Sequence, residues 1–134
     1  MVAKRLRAEI RIIGVQSAQA PAVFRSWKEK SVCEAECTTT AGGLATSRPG
    51  LLAFEVLKDL VDSMVVVSDD ELDQAILTVL KTTGQIAEGA GAAPFAALDK
   101  LDPEPAKGGT VLILSGGNLP LSDLRRILAE DRAG

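Results

Sequence analysis

The chain has 134 residues, enough for one domain with a real core, and 46% of them are hydrophobic. Fifteen basic and eighteen acidic residues are interspersed and leave a net charge of −3, which argues against a nucleic-acid footprint and against a polybasic membrane patch. Histidine and tyrosine are both absent, so Ser-His-Asp and Cys-His nucleophile systems and every histidine-ligated metal site are excluded.

In chain order, Ala3 to Arg7 reads as the tail of a helix. No apolar stretch follows its basic residues, which argues against a secretory signal and leaves the cytoplasm as the default location. Ile10 to Val15 is short, β-branched and apolar, as a strand should be. Pro21 suits the first turn of a helix with Val23, Phe24 and Trp27 on one face. Cys33 and Cys37 are the only cysteines. Two thiols without histidine are a thin basis for zinc, so a reduced pair is the expectation. Residues 31–50 have no sustained period and many turn formers, and fit either a functional segment or a surface loop.

Leu51, Phe54, Leu57, Leu60 and Val61 then fit a helix, and Met64 to Val67 a strand. Ser68 and Glu71 form a capping box. Leu72, Ala75, Ile76, Val79 and Leu80 continue that helix to Gly84, which stands where a C-cap belongs. Residues 88–98 are rich in glycine and alanine, a composition that lets a helix start pack very close to something, with Pro94 expected in its first turn. Residues 102–109 read as a polar linker. Thr110 to Leu114 reads as a buried strand, and a final helix begins near Ser122 with Leu124, Ile127 and Leu128 inward. No stretch approaches the roughly 20 apolar residues that cross a bilayer.

Apolar strands alternating with helices predict an α/β fold, a three-layer αβα arrangement around a small, mostly parallel sheet, with residues 1–134 as one unit. Three strands make a small sheet, so either the domain is minimal or other protein completes it. The best place for chemistry is the elbow at residues 115–118, Ser-Gly-Gly-Asn, at the carboxyl end of the last expected strand.

Six segments resemble one family in order. They are residues 12–16 (Ile-Ile-Gly-Val-Gln), 39–45 (Thr-Thr-Ala-Gly-Gly-Leu-Ala), 48–50 (Arg-Pro-Gly), 66–72 (Val-Val-Ser-Asp-Asp-Glu-Leu), 88–92 (Glu-Gly-Ala-Gly-Ala) and 114–118 (Leu-Ser-Gly-Gly-Asn). Together they resemble the C-terminal half of the threonine dehydratase and serine racemase group. These are pyridoxal phosphate (PLP) enzymes of the tryptophan synthase β-like type, and the likeness covers roughly residues 2–130. Each segment alone is weak; their order is what carries the resemblance.

The resemblance implies part of the large domain of a fold type II PLP enzyme. It also implies roles. Ser115 matches the hydroxyl that hydrogen-bonds the pyridine nitrogen, tolerating an unprotonated ring where a carboxylate would hold it protonated. Gly116, with Gly117, keeps backbone close to the ring; Gly43 matches the loop glycine that passes near the cofactor; Glu88 matches an acidic residue of the helix start. The plainer alternatives are a strand-end turn for Ser115 and favourable charge at a helix N-terminus for Glu88. The complete enzyme would act on threonine or serine, releasing ammonia and leaving a 2-oxo acid.

The departures are specific. The family loop reads Ala-Asp-Gly-Leu-Ala, whereas here it is Ala41, Gly42, Gly43, Leu44 and Ala45, without the acid. The positions of a divalent-cation site found in some members match Gln16 and Ala22, neither an anionic ligand, so no metal is expected. No lysine stands in the family's Schiff-base context, no glycine tetrad that cradles the phosphate precedes a helix, and none of the 134 residues is expected to belong to the C-terminal regulatory domain found in some members. The missing covalent anchor argues against PLP binding by this chain alone. The expectation is therefore the C-terminal portion of a dehydratase-like ammonia-lyase, inactive alone, oligomeric or completed by a companion N-terminal half. The alternative is a non-catalytic α/β module that self-associates or binds a partner.

Overall fold

The computed structural model describes residues 2–101 and 109–131. Six helices occur among them, α1 (Val2–Leu6), α2 (Ala22–Glu29), α3 (Leu51–Leu60), α4 (Asp69–Thr83), α5 (Gly89–Ala96) and α6 (Leu121–Asp131), with two strands, β1 (Ile13–Ser17) and β2 (Ser63–Val67). Short 3₁₀ turns lie at Gly42–Leu44 and Leu98–Lys100.

The strands pair in parallel, from Ile13 opposite Ser63 to Ser17 opposite Val67. Side chains alternate across such a ladder. Val15, Val65 and Val67 face α5, where they pack with Ala93 and Ala97. Met64 lies on the other face beside Gly14, whose missing Cβ would stand 3.1 Å from the Met64 side chain. On that face α2 packs on α3 and β2. The result is the α/β, three-layer arrangement expected, around a sheet of two parallel strands among the described residues.

The core lies chiefly between α4 and α5. Ile76, Val79, Ala92 and Ile127 are almost wholly inaccessible. The α4 start is as expected: Ser68 Oγ accepts from the Glu71 amide at 3.2 Å and Glu71 Oε2 accepts from the Ser68 amide at 2.7 Å. Gly84 closes the helix in the left-handed region at φ 71°.

Several expectations need correction. The first strand begins at Ile13 rather than Ile10, because the Ile12 backbone is held by Asp62: its N–H donates to Asp62 Oδ2 at 2.7 Å, and its carbonyl accepts from the Asp62 amide. In α2 the buried positions are Ala22 and Ser26, while Val23, Phe24 and Trp27 are half-buried. Small residues let that helix sit close, and Ser26 Oγ, which donates to the Ala22 carbonyl at 2.7 Å and accepts from the Cys33 amide at 2.8 Å, is satisfied there. Of the α3 positions expected inward, Phe54 is buried and Leu51 is 65% exposed. Pro94 lies in the interior of α5, not its first turn, and the helix ends two residues later. In α6, Ile127 is buried, Leu124 half-buried and Leu128 exposed.

The largest correction concerns Val111 to Leu114. These residues form no strand, and Val111 and Ile113 are 88% and 71% exposed. A strand exists through its neighbour's hydrogen bonds, and among the described residues β1 and β2 pair only with each other. The expected linker at 102–109 lies outside the described residues but for Gly109.

Candidate cofactor corner

The carboxyl ends of β1 and β2 are flanked by the loop at residues 38–45 and by α5, and the elbow at residues 115–118 packs on the start of α5. Parallel sheets place their binding groups at this end.

The elbow is tied to α5 by its backbone. The Glu88 amide donates to the Gly116 carbonyl at 3.0 Å. Gly116 adopts φ 62°, a left-handed conformation natural to glycine, and a Cβ there would run into the Glu88 carboxylate. On the α5 side, a Cβ on Gly91 would fall on the Ser115 carbonyl oxygen. Among the small residues of α5, Gly91 therefore serves contact with Ser115 and Gly116. Gly43 closes the third side: a Cβ there would stand 2.7 Å from Ala90 Cβ and 3.8 Å from Glu88 Oε1. Gly43, Glu88, Gly91, Ser115 and Gly116 thus share one corner.

Glu88 occupies the N-cap position of α5, yet its side chain makes no capping hydrogen bond and lies beside Gly116 instead. The Ser115 hydroxyl is exposed and has no hydrogen-bond partner among the described residues. A serine hydroxyl at such an elbow can donate to a group that accepts, such as an aromatic ring nitrogen.

The loop is fixed from below by residues whose role the sequence did not reveal. Asp69, the first residue of α4, accepts from Ser17 Oγ at 3.1 Å, Thr39 Oγ1 at 2.6 Å, the Thr40 amide at 2.7 Å and Thr40 Oγ1 at 3.0 Å. Partial burial raises its pKa, but these bonds outweigh burial and hold the carboxyl below its ordinary value. Gln16, 5% exposed, donates from Nε2 to the carbonyls of Ala20 at 2.8 Å and Leu44 at 3.0 Å. The run of three threonines at 38–40 was the available signal for this clamp. Among the described residues no three His, Cys, Asp or Glu side chains gather to hold a metal ion.

Lysines are engaged elsewhere: Lys4 with Asp62, Lys58 with Glu55, Lys81 with Asp131 and Lys100 with Glu71, each at 2.6–2.8 Å, while Lys30 donates to the Lys58 carbonyl.

Comparison with known proteins gives this corner a context. L-threonine ammonia-lyase of Geobacter sulfurreducens is 39% identical over 116 residues, spanning 86% of this chain and 29% of that protein. The processed form of threonine deaminase isoform 2 from Solanum lycopersicum superposes with a TM-score of 0.81 at 28% identity, covering 94% of this chain and 38% of that one. Maize serine racemase gives 0.81 at 27% identity, covering 96% and 42%. The chain thus spans well under half the length of these relatives. A family model described as pyridoxal-phosphate dependent enzyme matches residues 1–116. With the glycine-lined corner falling inside that match and the fold shared with the solved relatives, the chain belongs to the pyridoxal-phosphate dependent enzyme family.

Proposed function

We propose that this chain supplies the pyridine-nitrogen side of the cofactor site in a threonine or serine dehydratase-like ammonia-lyase. The observation that carries the reading is the corner itself, where the Ser115 backbone packs on Gly91, Gly116 packs on the Glu88 carboxylate, and the exposed Ser115 has no side-chain hydrogen bond among the described residues. When bound there, PLP supplies the electron sink for loss of a β-hydroxyl and ammonia. The protein's own part is positional. Ser115 would hold the ring nitrogen through its hydroxyl, a partner that does not require the ring to be protonated. Gly116 and Gly43 would let backbone approach the ring without a Cβ. Glu88 would present an acceptor beside it.

Catalysis needs more than this chain carries. None of the lysines engaged at 2.6–2.8 Å with acidic partners lies in the corner, and the sequence holds no glycine-rich phosphate cradle. Without a covalent anchor and proton carrier, the nucleophilic and acid–base contributions are lost. These 134 residues by themselves are therefore inactive and need the lysine and phosphate cradle from the rest of the enzyme, in the same chain or a companion one. The exposed Val111 and Ile113 favour a second reading, a self-associating module without catalysis.

Amide spectra of the full chain, titrated with PLP beside an N-terminal fragment of a threonine ammonia-lyase that carries the lysine, test the reading. Shifts confined to the Gly43, Glu88 and 115–117 amides, reduced in Ser115→Ala, are expected. Perturbation spread over exposed lysines, unchanged by that substitution, would instead mean random imine formation and overturn the assignment.

A further inference from the structure

We propose that Asp69 and Gln16 are positioning residues that clamp the loop at residues 38–45 so that Gly43 faces the Glu88–Gly116 corner. Resting on the cofactor reading for its functional meaning, the clamp itself stands on geometry alone.

The loop carries no ionisable side chain and is held by fixed partners at both ends. At its start, Asp69 gathers four hydrogen bonds, three of them from Thr39 and Thr40. The fourth comes from Ser17, wholly buried at the end of β1. One carboxylate therefore joins β1, the loop and α4. At the far end, the buried Gln16 amide nitrogen bridges the Leu44 and Ala20 carbonyls. Between these anchors the chain makes one 3₁₀ turn, the Leu44 amide donating to the Ala41 carbonyl at 2.8 Å and the Ala45 amide to the Gly42 carbonyl at 3.2 Å. Ala41 is buried against Gly89, whose absent Cβ would sit 3.0 Å away. Gly43 is thereby set against Ala90 and the Glu88 carboxylate rather than free to swing outward. A carboxylate accepting from hydroxyls and an amide makes charge-assisted bonds, stronger than neutral ones. Four such bonds in one place exceed what a surface capping acid needs. Asparagine in its place would turn one acceptor into an NH₂ and set it against two donors.

Amide hydrogen exchange of the full chain, without PLP, is the test. In Asp69→Asn, exchange at Thr40, Leu44 and Ala45 speeds up roughly 10-fold or more while the Ile76 and Val79 amides of α4 hold their protection. Thr39→Val, which removes the shortest contact and keeps the charge, gives the same pattern more weakly, and serves if the first variant does not fold. In the wild type the Thr40 amide proton resonance also follows titration of the acid it touches; in Asp69→Asn it does not. Near Asp69 the other ionisable groups are Asp70 and Glu71 of its own helix, the latter paired with Lys100, β1 contributing none. Equal acceleration at Thr40 and Val79, or none at Thr40, would overturn the clamp. A loop that loosens as expected, in a chain whose corner amides ignore PLP even beside an N-terminal fragment that carries the lysine, would uphold the clamp and refute the cofactor reading separately.

Discussion

A Cβ is the smallest change that separates this corner from an ordinary turn. Gly116 holds φ 62° with the Glu88 carboxylate where a methyl would stand. Gly116→Ala must therefore bear both left-handed strain and overlap. Expected destabilisation is about 1–3 kcal/mol, read by urea unfolding, with the corner displaced even where the fold survives. Unchanged stability would mean that the elbow is not packed as described. Charge at this scale is also testable. Hydrogen bonding by the Ile12 amide, then by Lys4, holds Asp62 below its ordinary pKa, and the bonds to Asp69 do the same against its burial. A carboxyl whose folded pKa is depressed contributes stability that is complete above its unfolded value and is lost as pH falls through the folded one. Stability should hold steady above about pH 5 and decline below about pH 4. Asp69→Asn should flatten part of that decline; an unaltered acid limb would show that Asp69 is not so held.

Among the elements, α4 was the most legible. Its capping box, apolar spacing and C-cap glycine are local signals, and each is realised in the backbone. Ser68→Ala should cost about 1 kcal/mol in urea or thermal unfolding, and a loss near zero would contradict the capping role. Where the reading failed, the missing information was tertiary. Val111 to Leu114 has strand composition but no strand beside it among the described residues. Ala22 and Ser26 are buried in place of larger α2 residues because closeness, not size, decided that contact. The elbow with Ser115 and Gly116 stands out in the local pattern of an apolar run opening into small and polar residues, whereas Gly43 and Glu88 could be named as site candidates only through the family resemblance. The clamp could not, since Ser17, Thr39 and Asp69 are distant in sequence and carry no periodic signal until the fold joins them.

As a whole, the molecule has two strands among its described residues where the apolar pattern predicts three, and it spans 29% of the Geobacter sulfurreducens relative and 42% of the maize structure. Two apolar side chains of the extended segment, Val111 and Ile113, face solvent while the corner next to them is tightly packed. Exposed strand-like segments of this kind recruit neighbours. We propose that the Ser115 corner is one side of a PLP site completed by other protein. The most direct test mixes this chain with an N-terminal fragment of a threonine ammonia-lyase, PLP and threonine, and follows 2-oxo acid release. No product is expected from either piece alone, with turnover from the two together and a loss of at least about 10-fold in Ser115→Ala, roughly the worth of one hydrogen bond to a cofactor. Turnover by this chain alone, or complementation indifferent to Ser115, would contradict the proposal.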